Sequence, residues 1–366
     1  MRLAWQNLIQ ERTRLALSVL GVALAILLIL VLQGLLRGMF RQIAAYLEHS
    51  PGSVVVAQDG VVNLLGATSL LPQGAAEEVA AVQGVSRVVP ILSQFVILDL
   101  HGKKQPAYLV GYDPAVGGGA WDMADGSEPQ GDDEVVVDRV LAQRHDLRLG
   151  ERFKIMDREF TIVGLSQGTT SWMTSFLFVR KTAAEALVRV PGATSFLLVS
   201  EEAGEDARTL PSRLSGITGI QALLTDEMIA NDSRLFGKLF SAPIRLMVGI
   251  AFLVGTLVVG LVIYTATIER RREYGVLKAV GAPNWVLFSV VTLQALVASA
   301  AGSLAGAGLA VGAADVIMRL RPQFLIILEP SAMGGAIAAG VAMALLAALL
   351  PARILANLPP AEVFRR

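Results

Sequence analysis

The sequence predicts an integral membrane protein: an all-α region of four transmembrane helices, with an α+β domain inserted between the first and the second. Three observations predict this class. Hydrophobic residues make up 54% of the chain and charged ones 17%, with a mean hydropathy of +0.57. Soluble domains hold about 45–50% apolar and about 25% charged residues. Four stretches carry no charge and are long enough to cross a bilayer, since a helix rises about 1.5 Å per residue and roughly 20 residues span the ~30 Å hydrocarbon core. Between the first two stretches the texture changes to short apolar runs broken by glycine, proline and charge.

The first stretch, residues 15–36, is bounded by Arg14 and Arg37. It is longer than the about 7–15 residues of a signal-peptide core and runs on through Arg37 and Arg41 without an Ala-x-Ala step, so it reads as a retained anchor. The second, 246–268, lies between Arg245 and Glu269. The third starts near Trp285, after Pro283 and Asn284, and continues to Ala314; the fourth, 330–352, stops at Arg353. The expected layout is therefore an N-terminal segment 1–14, spans 15–37, 243–268, 285–316 and 330–352, an inserted domain 38–242, loops 269–284 and 317–329, and a tail 353–366.

Orientation follows from Lys and Arg beside the spans. Arg2, Arg12 and Arg14 precede the first span, Arg270, Arg271, Arg272 and Lys278 fill the loop after the second, and Arg353, Arg365 and Arg366 follow the fourth. An even number of spans places all three groups on one side, which is then cytoplasmic. Arg319 and Arg321 oppose this and are outnumbered. Both termini are expected inside a cell membrane and the inserted domain outside it.

Strands are expected in that domain at 53–57, 94–100, 107–112, 134–137, 152–156, 160–165, 176–179 and 195–200, with a hairpin turn at Asp157-Arg158-Glu159. Helices are expected at 74–82, 139–145, 182–188, 207–214 and 226–240, the last meeting the second span across an interruption at Pro243. A helix joined to a span is a stiff lever. Gly117-Gly118-Gly119 and the polar stretch to Gly131 read as a loop between two lobes.

Chemistry is sparse. Cysteine is absent, which excludes disulfides, thiolate metal sites and cysteine nucleophiles, and zero formal charge points away from nucleic acid. His49, His101 and His145 are scattered, so no metal site is expected. Asp132-Asp133-Glu134 reads as a solvated acidic turn rather than a cation site. There is no G-x-x-x-x-G-K-[ST] loop; Gly102-Lys103-Lys104 lacks its upstream glycine and downstream hydroxyl. No catalytic residue and no cofactor are expected.

The loop 269–282 carries charge first and small apolar residues after. Glu269 to Glu273 would extend the second span, Val276, Leu277, Ala279 and Val280 make a short amphipathic piece, and Gly281 turns the chain ahead of Pro283. A short helix with apolar residues exposed suits docking in a partner's groove. A loop that only fixes orientation has the same composition, and both readings stand on the residues alone.

Glu269, Arg270, Glu273, Gly275, Lys278, Ala279, Gly281 and Ala282 resemble the E-R-x-x-E-x-G-x-x-[RK]-A-x-G-A signature of MacB/FtsX-type ABC permeases, the mechanotransmission family. Tyr274 replaces the usual aliphatic residue. The tail, with Pro351, Ala352, Arg353, Ala356, Pro360, Glu362 and Arg365, is similar to that family's closing P-A-R-x-x-A-x-x-x-P-x-E-x-x-R pattern, and the opening segment resembles its N-terminus. The order of one span, a large outer domain and three spans is also the family's.

The resemblance implies a porter-like periplasmic core for the inserted domain and two copies of this chain paired with two copies of a cytoplasmic ATPase, which binds the ATP and magnesium. Glu269, Arg270, Arg272, Glu273, Gly275, Val276, Leu277, Lys278, Ala279, Gly281 and Ala282 would form the helix that contacts the ATPase. Trp5, Leu8, Ile9 and Arg12 would belong to an amphipathic helix on the inner membrane surface. Gly302, Gly306, Gly308 and Gly312 let helices approach closely, within one chain or between two copies. The implied function is ATP-driven export or extraction of a hydrophobic or amphiphilic molecule by mechanotransmission, with membrane lipid and a periplasmic adaptor among the partners. The alternative is an FtsX-like regulator that moves its outer domain to activate a cell-wall hydrolase.

Overall fold

The computed structural model describes residues 12–171 and 174–356. Trp5, Leu8, Ile9, the side chain of Arg12 and the tail positions Pro360, Glu362 and Arg365 lie outside the described residues.

In chain order the elements are α1 (Arg12–His49), β1 (Val54–Gln58), α2 (Ala75–Ala80), β2 (Val85–Leu100), β3 (Lys103–Tyr112), β4 (Met123–Gly126), β5 (Glu134–Asp138) and α3 (Arg139–Arg144). They continue as β6 (Arg152–Ile155), β7 (Arg158–Ser166), β8 (Ser175–Arg180), α4 (Lys181–Val188), β9 (Phe196–Glu201), α5 (Leu210–Leu214) and β10 (Ile220–Leu224). The helices α6 (Thr225–Glu269), α7 (Arg271–Ala279), α8 (Asn284–Leu320) and α9 (Pro330–Ala356) complete the described residues. Four of them, α1, α6, α8 and α9, are long and apolar enough to cross a membrane. Two compact units result: a helical one containing α1 up to Arg37, Phe240–Arg321 and the chain from Ile326, and an α+β one containing 38–239 and 322–325.

The helical unit is apolar inside and out. Val22, Ile26 and Leu30 of α1 share one buried cluster with Val259 of α6, Ala295 and Ala310 of α8, and Met343 and Ala347 of α9. Leu17, Leu24, Leu253, Leu257, Leu261, Leu346 and Leu350 point outward and are exposed. A soluble fold would not leave such a surface wet, whereas lipid accepts it. Small residues set the closest approaches. A Cβ on Gly302 would lie 2.6 Å from Val22 Cβ, and one on Gly306 2.6 Å from the Ala23 carbonyl oxygen. Ser299 donates to the Gly340 carbonyl at 2.5 Å. Gly302 and Gly306 therefore pack α8 on α1 of the same chain. Gly308 and Gly312 meet nothing within 4 Å.

In the α+β unit one ten-stranded sheet runs β10-β1-β9-β2-β3-β8-β5-β7-β4, with β6 paired to β7. Its pairings are antiparallel except β3 with β8 and β5 with β7. Central strands carry unbroken apolar runs, such as Val135–Val137 and Phe176–Val179, because both faces are covered. In β5, Val135 and Val137 join a cluster with Leu141 of α3 and Leu187 of α4, while Val136 faces the opposite cluster with Phe176, Phe178 and Tyr46. Tyr46, at the end of α1, stacks on Phe176 at 5.4 Å and donates to the Gly118 carbonyl at 2.7 Å. Asp138 ends β5 and starts α3. Its fully buried carboxylate accepts from the Val140 and Leu141 amides at 2.9 and 3.1 Å and from the Thr169 hydroxyl at 2.7 Å, while burial pushes its pKa above the ordinary carboxyl value. Asp138→Ala removes an N-cap and one of the two hydrogen bonds of the buried Thr169 hydroxyl, which keeps only Ser166, so the unfolding midpoint should fall by about 5–10 °C; Asp138→Asn, which keeps an acceptor, should lose less than half of that. Thermal unfolding of the purified chain reads both.

The structure departs from several expectations. The helix expected at 226–240 does not break at Pro243, which sits inside α6. The stretch 117–131 is no linker between lobes: Met123–Gly126 is a strand of the single sheet, paired to β7, and Trp121 packs beside Tyr46. The β6–β7 turn is Met156-Asp157, not 157–159, because Ile155 pairs with Arg158 and Met156 takes a φ of 56°. The start of β2 and all of β10 lie outside the expected strands.

Candidate functional site

The segment after α6 is built by four local devices. At Glu269 the helix stops, and Arg270, at φ −92° and ψ 13°, redirects the chain into α7. Glu269 is ion-paired with Arg14 at the start of the first span. Arg270 lies 3.7 Å from Glu273, one turn on. The far end closes with a Schellman motif: the Ala282 amide donates to the Leu277 carbonyl at 3.0 Å and the Gly281 amide to the Lys278 carbonyl at 3.1 Å. That motif requires a left-handed residue after the cap, and Gly281 has a φ of +95°. Gly281→Ala should therefore cost about 1–2 kcal/mol locally without steric conflict, since no atom lies within 4 Å of the added carbon. Weaker amide protection of 275–282 in hydrogen exchange would register it.

The two faces of α7 differ. Tyr274 and Gly275 are buried, and Tyr274 joins the helical cluster that includes Ile263, Leu287 and Leu355. Lys278 is half-buried and donates to the Leu355 carbonyl at 3.3 Å. The other face is open: Arg271, Arg272, Glu273 and Ala279 are exposed, as are Val276 (50%), Leu277 (39%) and Val280 (84%). Glu269 and Gly281 are exposed, and Ala282 is half-buried. The structure thus gathers the expected residues on one short helix and the turns at its two ends, with Gly275 turned into the chain and the aliphatic residues turned out.

Sequence reasoning missed the roles of Arg14 and Leu355, which hold the end of α6 through Glu269 and α7 through Lys278. Opposite charges at matching ends of the first and second spans were a usable signal for Arg14–Glu269; a backbone carbonyl leaves none. Elsewhere the chemistry stays sparse. No cluster of metal-ligating side chains occurs among the described residues. Glu134 accepts from the amides of Gln130 and Gly131 at 2.6 and 2.9 Å, so it serves its own turn. His49 stacks on Trp121, and His145 faces Gln105 at 3.4 Å.

Four membrane-length helices with an α+β domain between the first and second, and a short helix with exposed aliphatic side chains after the second, define a multi-pass membrane protein with one large inserted domain. The family description "MacB-like periplasmic core domain" matches residues 15–217, and "FtsX-like permease C-terminal" matches 245–360. The chain belongs to the MacB/FtsX-type ABC transporter permeases. It is 25% identical to an ABC transporter permease of Mycobacterium tuberculosis (strain ATCC 25618 / H37Rv) over 358 residues, covering 97% of this chain and 96% of the other. It is 26% identical over 389 residues to the pyoverdine export ATP-binding/permease protein PvdT of Pseudomonas syringae pv. tomato, covering 98% of this chain and 58% of PvdT. The crystal structure of the periplasmic region of MacB from Actinobacillus actinomycetemcomitans aligns with a TM-score of 0.38 at 15% identity, over 50% of this chain and 94% of that one.

Proposed function

We propose that this chain is the membrane subunit that couples ATP hydrolysis by a separate cytoplasmic ABC ATPase to export or extraction of a hydrophobic or amphiphilic substrate by mechanotransmission. The observation that carries the reading is the open aliphatic face of α7. Val276, Leu277 and Val280 are left wet on a helix whose other face is anchored by Tyr274 and Lys278. Exposed apolar side chains on a pinned element are suited to a groove on a partner. PvdT supports the pairing, since its name joins an ATP-binding part to a permease part in export. In this reading two copies of the chain meet two of the ATPase, both termini are cytoplasmic, and ATP-driven closure inside is transmitted along α1 and α6 to the α+β unit outside. Gly308 and Gly312, with open space around them, suit contact with lipid or the second copy.

Purification of the tagged chain from its host membranes should bring down an ABC ATPase in stoichiometric amount, and the pair should hydrolyse ATP with vanadate sensitivity. A chain that purifies without one overturns the reading. Topology is tested separately in this cysteine-free background. Ser127→Cys and Ser212→Cys, both at exposed positions, should react with a membrane-impermeant thiol reagent on intact cells or spheroplasts, and Arg271→Cys only after permeabilisation. The reverse pattern would place the termini outside.

A further inference from the structure

The α+β unit contains a cavity of about 200 Å³ that no part of the permease mechanism above uses. Its described lining carries no charge. Met39 and Ile43 of α1 and Phe236 of α6 form one side, and Phe95 with Tyr108, cross-strand partners on β2 and β3, form the other. Leu65 closes one end, while Ser171 and Thr174 supply hydroxyls at the rim. The wall is held in place by buried polar groups. Asp232, one turn before Phe236 and almost fully buried, accepts from the Leu64 and Leu65 amides and from Asn63, each at 3.3 Å. The Tyr108 hydroxyl donates to the Leu64 carbonyl at 2.8 Å. These bonds fix the Leu65 segment and leave the Tyr108 hydroxyl occupied, so the cavity keeps an apolar lining and a defined shape.

Three features say what fits. A dry cavity of about 150 Å³ lined by Leu, Ile and Phe takes up benzene, so this one has room for on the order of six to eight carbon atoms. Met39 and Ile43 stand three and seven residues along α1 from Leu36, the end of the charge-free run, which is about 5 and 10 Å of helix. The cavity is therefore reached from a helix that emerges from lipid. At its mouth Phe95 is 54% exposed, and Ile97, opposite Pro106 across the hairpin, is 62% exposed. Apolar side chains exposed beside an uncharged cavity offer a graded path for a hydrocarbon chain and no partner for a charged group.

We propose that this cavity holds the end of an alkyl or acyl chain of an amphiphile drawn from the adjoining lipid leaflet. The inference rests on the permease reading only for the side of the membrane on which the leaflet lies. It makes the α+β unit a substrate-holding element whose floor is attached to α6, because Asp232 and Phe236 ride on that helix.

Single cysteines give a direct test on the full chain in lipid nanodiscs. Leu65→Cys is treated with methanethiosulfonates carrying linear alkyl groups from methyl to dodecyl. The labelling rate should rise by about fourfold per methylene, the hydrocarbon transfer increment, up to six to eight carbons and then fall sharply. Phe236→Cys should give the same cut-off from the other wall and keeps the test alive if the first variant folds poorly. Leu239→Cys, exposed on α6 one turn further on, controls for partition into the bilayer and should show no cut-off. Adding Thr174→Phe to Leu65→Cys should shorten the accepted chain by several carbons. A series at both cavity positions that matches Leu239→Cys overturns the proposal. So does a flat series accompanied by Phe95→Cys cross-linking between copies, which would make this face a protein interface. The labelling needs no ATPase, so a failed cavity and a failed permease reading give different results.

Discussion

Four glycines inserted after Phe240 are expected to abolish export while leaving membrane insertion, ATPase association and basal hydrolysis in place. The reason lies in α6, one helix from Thr225 to Glu269. Its first turns belong to the α+β unit, with Met228 and Asp232 buried there, and the part from Phe240 belongs to the helical unit. In the proposed mechanism force reaches the outer unit through this continuity. Each glycine lowers helix stability by about 1 kcal/mol relative to alanine, so four remove on the order of 4 kcal/mol from one short stretch. Any insertion also rotates the remainder of the helix, by about 100° per residue, so stiffness must be separated from register. Four alanines at the same place rotate the helix equally but keep it stiff. The expected result is near-complete loss with the glycine insertion and a substantial fraction of wild-type export with the alanine insertion, measured beside vanadate-sensitive hydrolysis. Equal loss in both would assign the effect to register. Full activity in both would mean that α6 carries no force and that substrate follows a conventional path through the spans.

How far the sequence foretold this architecture depended on whether each signal was local. Charge-free runs are local, and all four spans were legible with their flanking arginines. Strands with alternating or wholly apolar patterns were legible too, as at Val135–Val137 and Phe176–Val179. Those that escaped lack such a pattern. The first half of β2 contains Pro90, which argues against a strand; Pro90 pairs with Leu197 of β9 on one side, while β3 pairs with β2 only from Leu92 onward, so the donor that proline lacks has no ladder partner to lose. β10 is half-buried along most of its length and lies directly against the start of α6, so its period is lost in the helix signal. Pro243 suggested a break that the structure does not contain, because proline removes one donor and the neighbouring turns of a long apolar helix keep theirs. The small-residue pairs on α8 were legible as packing sites but not by partner: Gly302 and Gly306 meet Val22 and Ala23, while Gly308 and Gly312 face open space. The cavity could not be read at all. Met39, Leu65, Phe95 and Phe236 come together only through the fold.

On α7 the order of residues announced an amphipathic helix, and the structure adds which side is committed. Tyr274, the departure from the family's aliphatic residue, is 5% exposed and anchors the helix, so the outward face is defined by Val276, Leu277 and Val280. Val280→Glu is expected to abolish permease-dependent ATP hydrolysis. A valine buried in a partner's groove contributes about 1.5–2 kcal/mol of apolar burial, and a carboxylate left unpaired there costs several kcal/mol more, which together weaken association by at least about a thousandfold. Val280 is the most exposed of the three in the isolated chain, so the substitution should leave folding and insertion unchanged. Val280→Ala should lose only about tenfold in affinity. Glu273→Arg tests charge on the same face: it lies one turn from Arg270, is solvent-exposed and should shift the salt dependence of association more than its strength. The measurement is titration of ATPase against permease in nanodiscs, with hydrolysis rate as the readout. Wild-type affinity in Val280→Glu and Val276→Glu would show that α7 is not the contact and that its charges serve only to orient the chain in the membrane. Loss in both glutamates, with retention in Leu149→Glu on the α+β unit, would place the ATPase on this face and make Tyr274 the element that holds it there.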